Sequence, residues 1–277
     1  MNLAKSFLRG KWVDGDAYKY NDRAPGVQPH SLECKDFPTL TQRFPSSDDI
    51  MMYVVGEKTD GERRILTSFE DSVILFDRKY APTVIEYTHT INNCILDGEL
   101  VGDDVFIVHD AICIDNKNIQ DTDLCYRLEA AERFVDEWKG NLKIKVKKFI
   151  QPCDLHQGVP EMGTKVDGLI FAPVSPNLPT FKWKPGLSNT IDFMFIDGGM
   201  YLYDSNFAEP LVWHHDTSEK WPENSIIECA WDEKSSTWYG LKQRNDKNNP
   251  NSRYVYYCTL KNIKEDIQKQ DLIQLLS

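Results

Sequence analysis

Lys58 lies in the stretch VVGEKTDGERRIL, Val54 to Leu66, where residues suited to buried strands flank a lysine, an acid, a glycine and two arginines. A solvated turn between two strands is one reading. The other places Lys58 on that turn at the floor of a pocket, as a nucleophile toward a phosphate. A lysine amine attacks only when neutral, and its ordinary pKa is about 10.4. Holding it neutral at pH 7 costs ~4–5 kcal/mol unless burial or nearby positive charge lowers that pKa. Such a residue wants apolar strand walls and other cations close by. TFKWKPG supplies two, since in a strand Lys182 and Lys184 point to one face and Trp183 to the other. Taken alone, that stretch also fits a solvated strand with Trp183 in the core.

Carboxylates follow the same logic. ILDGELV puts Asp97 and Glu99 on one face of a strand or at its end, and KVDGLIFAP places Asp167 before another. Hard carboxylates suit Mg²⁺ bound together with phosphate. Asp-Gly pairs are equally common in hairpin turns. In LKIKVKKF, Lys143, Lys145 and Lys147 share one strand face, with Ile144, Val146 and Lys148 on the other. That face is basic in a chain of net charge −11. Non-specific coating of nucleic acid depends on a basic surface, so such a partner must be engaged locally.

The elements that would position these groups are mostly short strands rich in β-branched and aromatic residues, punctuated by Gly, Asn, Asp and Pro. TDLCYRLEAAERFVDEWKGN predicts a helix, with Leu124, Leu128, Ala131 and Val135 at helical spacing and a stop at Gly140-Asn141. IKEDIQKQDLIQLL predicts a closing helix. The pattern implies an α+β fold with mainly antiparallel sheets. Pro and Gly in KPGLSN, Lys184 to Asn189, mark a boundary, giving domains 1–186 and 187–277. The second suits a small five-stranded barrel. The seven cysteines are scattered without a C-x-x-C pair and read as reduced thiols of an intracellular protein. His214 and His215 read as a surface turn. No run of about 18 apolar residues is present, and MNLAKSFLRGKWVDGD lacks the apolar core of a secretory signal; no membrane partner is expected.

In order along the chain stand K-T-D-G-E-R, D-G-E-L, F-I-V-H-D-A, V-D-G-L-I-F, F-K-W-K-P-G and Q-R-N-D-K-N-N-P-N. This series, spanning residues 58 to 251, resembles the covalent nucleotidyltransferase superfamily of mRNA capping guanylyltransferases and polynucleotide ligases. FKWKPGLSNTIDF and WYGLKQRNDKNNPN are similar to the capping branch. With no triphosphatase or methyltransferase portion, the chain is most similar to stand-alone guanylyltransferases of large DNA viruses.

The resemblance implies a nucleotidyltransferase domain of antiparallel sheets, ATP-grasp-like, followed by an OB-fold barrel. It implies transfer of GMP from GTP through a lysyl-N-GMP intermediate on Lys58 to the diphosphate 5′ end of RNA, forming GpppRNA. Arg63 and Glu99 would hold the ribose or position metal and lysine, and Arg78 would contact ribose and phosphates. Asp167, with Glu99, would support Mg²⁺ or Mn²⁺. Lys182 and Lys184 would grip the α-phosphate, and Lys147 would read the guanine edge. Arg244, Asp246 and Lys247 would reach the β- and γ-phosphates when the domains close. His109 occupies the position of a base-stacking aromatic, with Phe106 as the substitute if the register shifts. Implied partners are an RNA triphosphatase, a cap methyltransferase and RNA polymerase. The implied location is cytoplasmic if viral and otherwise nuclear. A ligase of the same superfamily and a non-catalytic nucleotide-binding scaffold are the competing readings.

Overall fold

The computed structural model describes residues 26–46, 50–69, 72–78, 80–87, 93–203, 212–213 and 221–277. His214 and His215 lie outside them, as does the N-terminal stretch. The chain divides into two compact units, one of residues 1–30, 38–183 and 276–277, the other of 31–37 and 184–275. The passage at 183/184 lies three residues before the expected boundary after residue 186.

The first eleven strands are β1 (His30–Ser31), at the unit boundary, and, within the first unit, β2 (Tyr53–Thr59), β3 (Glu62–Phe69), β4 (Ser72–Phe76), β5 (Pro82–Ile85), β6 (Cys94–Val101), β7 (Val105–Ile114), β8 (Lys117–Asn118), β9 (Lys143–Val146), β10 (Val166–Pro173) and β11 (Phe181–Trp183). A smaller sheet runs β1-β11-β10-β2, and a larger one β5-β4-β3-β6-β7-β8 with β9 against β7. Pairing is antiparallel as expected, except that β9 runs parallel to β7.

Helix α1 (Leu124–Glu137) covers one face of the larger sheet. Its Ala130, Ala131 and Phe134 pack on Leu66, Leu96, Phe106 and Val108. It ends before Gly140-Asn141 because Trp138 turns into extended backbone (ψ 128°). There its ring stacks with Tyr87 and Phe134, and its indole Nε1 donates to Leu142 O at 2.6 Å. The other face of the sheet buries Ile65, Ile74, Phe76, Ile95 and Ile112.

In the second unit, β12 (Thr190–Ile196), β13 (Gly199–Tyr201), β14 (Val212–Trp213), β15 (Ser225–Asp232) and β16 (Thr237–Gln243) form an antiparallel sheet ordered β14-β13-β12-β15-β16. These five strands fit the expected OB-fold, although among the described residues the sheet stays open. Its core gathers Ile191, Phe193, Ile227, Trp238, Tyr256 and Ile263. The closing helix is two helices, α2 (Arg253–Glu265) and α3 (Lys269–Leu276). Ser252 caps α2 by accepting from Val255 N, and Asp266 ends it in the left-handed region (φ 41°). RYVYYCTL carries β-branched and aromatic residues, and the core contacts of Tyr256 and Ile263 override that strand-like bias.

Candidate active site

Residues from both sheets of the first unit line a cavity of about 500 Å³. Ile170, Ala172, Pro173, Leu178 and Phe149 give it an apolar wall. Lys58, Arg63, Arg78, Asp97, Glu99, His109, Lys147 and Lys182 bring charged and polar groups to it.

Lys58 is not on the turn. It is the penultimate residue of β2, half-buried among neighbours that are buried, and the turn is confined to Asp60-Gly61. The β2–β10 register explains its surroundings. Thr59 pairs with Val166 and Glu57 with Leu169, so Lys58 alone faces Asp167 and Gly168. This bulge, two residues against one, brings Asp167 beside the amine. Lys58 Nζ donates to Asp167 Oδ1 at 2.6 Å. Glu57 is buried and accepts from Met162 N at 3.0 Å.

A second network lies on β3, β6 and β7. Arg63 Nε and Nη2 donate to the two oxygens of Asp97 at 2.9 and 2.5 Å. His109 Nε2 stands 3.4 Å from Asp97 Oδ2. Burial alone would raise the Asp97 carboxyl, but His109 and Arg63 prevail and hold it below the usual carboxylate range. Gly26 lies over this pair with φ +95°, where a Cβ would stand 1.9 Å from Asp97 Oδ2, so only glycine fits.

Glu99 shares the cavity with Asp97 as the one-face reading expects. Burial pushes its carboxyl up, against the opposing charges of His109, Arg78 and Lys147. Among the described residues its buried Oε2 finds no hydrogen-bond donor.

His109 owes its place to another bulge. Asp97 pairs with Asp110 and Gly98 with Val108, leaving His109 as the extra residue of β7. The register does shift, yet Phe106 does not take the base-stacking position. Phe106 is fully buried in the core beneath α1.

The shared face of Lys143, Lys145 and Lys147 requires correction. Lys143 and Lys145 are exposed, donating to Asp104 Oδ2 at 3.1 Å and Met162 O at 3.2 Å. The strand stops at Val146, and Lys147 turns inward to the cavity, where it is buried. Desolvation lowers its pKa to about 8, opposed by Glu99, reinforced by the Lys58 charge and opposed by Glu57. Its Nζ donates to Thr59 Oγ1 at 3.4 Å.

Lys182, at the middle of β11, lines the cavity. Lys184 is the first residue of the other unit after β11 and is half-buried.

Two cavity residues escape the sequence reading. Asp110 receives Arg127 Nε at 2.6 Å and Nη2 at 3.3 Å, and both residues line the cavity. Burial pushes the Asp110 carboxyl up, against Arg127. The available signal is Arg127 itself, a charge on the buried stripe of α1 with Leu124, Ala131 and Phe134.

Within the second unit, Arg244 donates to Asp246 at 2.8 and 2.7 Å and to Asp192 at 3.2 Å. Lys247 also donates to Asp192, which is buried. The side-chain hydrogen bond from Arg244 holds the Asp246 carboxyl far below the usual range.

Among the described residues no three His, Cys, Asp or Glu side chains converge as a ready-made metal cage. The hard, unpartnered Oε2 of Glu99 nonetheless fits a divalent cation that takes its remaining ligands from phosphate.

Residues 10–186 match the family described as mRNA capping enzyme, catalytic domain, and residues 197–273 match mRNA capping enzyme, C-terminal domain. The mRNA-capping enzyme subunit alpha of Schizosaccharomyces pombe is 25% identical over 329 aligned positions, covering 91% of this chain and 80% of that protein. Among solved structures, a mycobacterial DNA ligase D complexed with ATP and MES aligns with a TM-score of 0.47 and 15% identity, over 83% of this chain and 97% of that one. A Naegleria gruberi RNA ligase aligns with a TM-score of 0.36 and 15% identity, over 58% of this chain and 57% of that one. With both of its domains matched in order, the chain belongs to the mRNA capping enzyme family and is an mRNA guanylyltransferase, a nucleotidyltransferase.

Proposed function

We propose that Lys58 Nζ attacks the α-phosphorus of GTP. An N–P bond forms, the bond to the pyrophosphate oxygen breaks, and Asp167 accepts the proton that the amine gives up. In the second step a terminal oxygen of the RNA 5′-diphosphate attacks the same phosphorus, the N–P bond breaks and the amine regains a proton. The product is GpppRNA. The observation that carries this reading is the contact of Asp167 with Lys58, whose side chain lines a cavity together with Lys182, Arg78 and Lys147. Splitting one transfer into two lets the same cations neutralise developing charge twice.

Lys182 and Arg78 bind phosphate oxygens, Arg78 with the bidentate geometry of guanidinium. His109 offers its ring to the base. Glu99 and Asp167 would hold Mg²⁺ or Mn²⁺, which when bound supplies Lewis-acid stabilisation of phosphoryl charge. By motif match, Lys184 serves the α-phosphate, and Arg244, Asp246 and Lys247 serve the β- and γ-phosphates. A triphosphatase must supply the diphosphate end, and a cap methyltransferase consumes the product beside RNA polymerase. The likeness to viral stand-alone guanylyltransferases, and a cytoplasmic or nuclear location, rest on motif order alone. Incubation with radiolabelled GTP or ATP and a divalent metal, followed by denaturation, tests the reading. A band labelled from GTP supports it. Label from ATP alone would assign a ligase, and no label a scaffold.

A further inference from the structure

Regular alternation would turn consecutive β7 residues to opposite faces, yet His109 and Asp110 both line the cavity. The bulge that makes His109 the extra residue re-aims the pair. Among the described residues, Arg127 is the side chain that holds Asp110. Arg127 donates to both of its oxygens, at 2.6 and 3.3 Å, and Arg127 is itself fixed by Gln120 O at 3.4 Å and by Thr122 O. Each Asp110 oxygen keeps a second lone pair, and the side chain, which lines the cavity, remains 16% exposed.

Guanine presents acceptors at O6 and N7 and donors at N1–H and the exocyclic N2 amine. Lys147 can only donate, so it serves the acceptor edge, which inosine shares. Distinguishing the N2 amine requires a fixed acceptor. Among the cavity carboxylates, Asp97 is 1% exposed and engaged by Arg63 and His109. Glu99 is the metal and ribose candidate, and Asp121 is exposed to solvent. Asp110 is the remaining one, oriented by a rigid partner.

We propose that Asp110, positioned by Arg127, accepts from guanine N1–H and N2–H and is a specificity-determining residue of the nucleotide site. The inference rests on the guanylyl-transfer reading. It also gives a reason for adenine to be refused, since adenine's N1 lone pair would face the carboxylate.

The test is adduct formation by the full chain with radiolabelled GTP, inosine triphosphate and ATP. Wild type should load GTP roughly 10- to 100-fold more efficiently than inosine triphosphate, the scale of one hydrogen bond to a charged group. In Asp110→Asn, Arg127 claims the amide oxygen and leaves the NH₂ toward the ligand. The preference for GTP should then collapse to within about threefold, with ATP loading gaining relative to GTP. Equal loading of GTP and inosine triphosphate by wild type would overturn the assignment without touching guanylyl transfer, and needs no variant to fold. An equal fall for all three nucleotides in Asp110→Asn would mark a structural role and also overturn it. No adduct from any nucleotide would remove the reading on which it rests.

Discussion

Lys58 and Asp167 meet at 2.6 Å because one residue of β2 faces two of β10. The proposed attacking amine and its proposed proton acceptor are thus brought together by the β2–β10 strand register. Lys58→Ala should abolish the GMP adduct while leaving the unfolding midpoint nearly unchanged, because it opens no apolar cavity. Asp167→Asn should keep nucleotide binding but slow adduct formation by roughly 10²–10⁴, the usual scale for a lost proton acceptor. Single-turnover labelling distinguishes the two variants.

Lys147 gives a pH dependence with a definite sign. Its folded pKa is about 8 against 10.5 for the ordinary side chain. Below about 8 both states are charged, and carrying that charge inside costs on the order of 3 kcal/mol. Between about 8 and 10.5 the unfolded chain binds more protons, so this residue's contribution makes stability rise with pH across that window. Lys147→Met should therefore be more stable than wild type at pH 7 and should lose that slope in denaturant titrations.

As the proposed reader of guanine O6, the same residue would act best when protonated. GTP loading should fall as pH rises through about 8 in wild type. The corresponding limb should be missing from the profile of Lys147→Met, which should also load less GTP without gaining or losing ATP loading. Parallel profiles for the two proteins would remove Lys147 from base recognition.

Asp97 behaves oppositely. Its folded pKa is depressed, so its stabilisation is present above the unfolded value of about 3.9 and goes as pH falls through the lower folded value. Asp97→Ala leaves the Arg63 guanidinium buried without its carboxylate and should cost about 3–5 kcal/mol. Urea titration at pH 7 measures this. A loss under 1 kcal/mol would mean that Arg63 finds another partner.

The legible part of the site is the part where residue type alone carries the chemistry. Lys58, Asp167, Lys182 and Glu99 stand in motifs whose order points to nucleotidyl transfer, and the strands around them alternate clearly enough to be read. What resisted reading follows from broken periodicity. Period-two reasoning assigns Asp110 to the face away from His109, and only the extra residue in β7 reverses that. It likewise groups Lys147 with Lys143 and Lys145, although β9 ends one residue too soon. Arg127 stands as a charge on the buried stripe of α1, and only the structure shows that Asp110 is its partner. Helix α2 was hidden because tertiary burial of Tyr256 and Ile263, not local propensity, decides its conformation.

In the proposed reaction, Arg244 would separate the two chemical steps. Its motif-matched partners, the β- and γ-phosphates, are present only before pyrophosphate leaves. Arg244→Ala should lower adduct formation by roughly 10³–10⁵, as loss of a charge-stabilising arginine does in phosphoryl transfer. Transfer to diphosphate RNA from adduct accumulated at high enzyme concentration should fall much less. Comparable losses in both steps would assign Arg244 to the transfer machinery throughout.

Residues 31–37 belong to the second unit although they precede almost all of the first. Within that unit Glu33 accepts from Lys261 at 2.6 Å, and Cys34 N donates to Glu265 at 2.9 Å. A ribosome thus releases Glu33 and Cys34 228 and 231 residues before their partners on α2. The second unit is therefore not a self-contained stretch of sequence, and these contacts form only once helix α2 has been made. A fragment cut at residue 184 would leave Lys261 and Glu265 without these contacts, whereas a fusion returning residues 31–37 to its end would restore them.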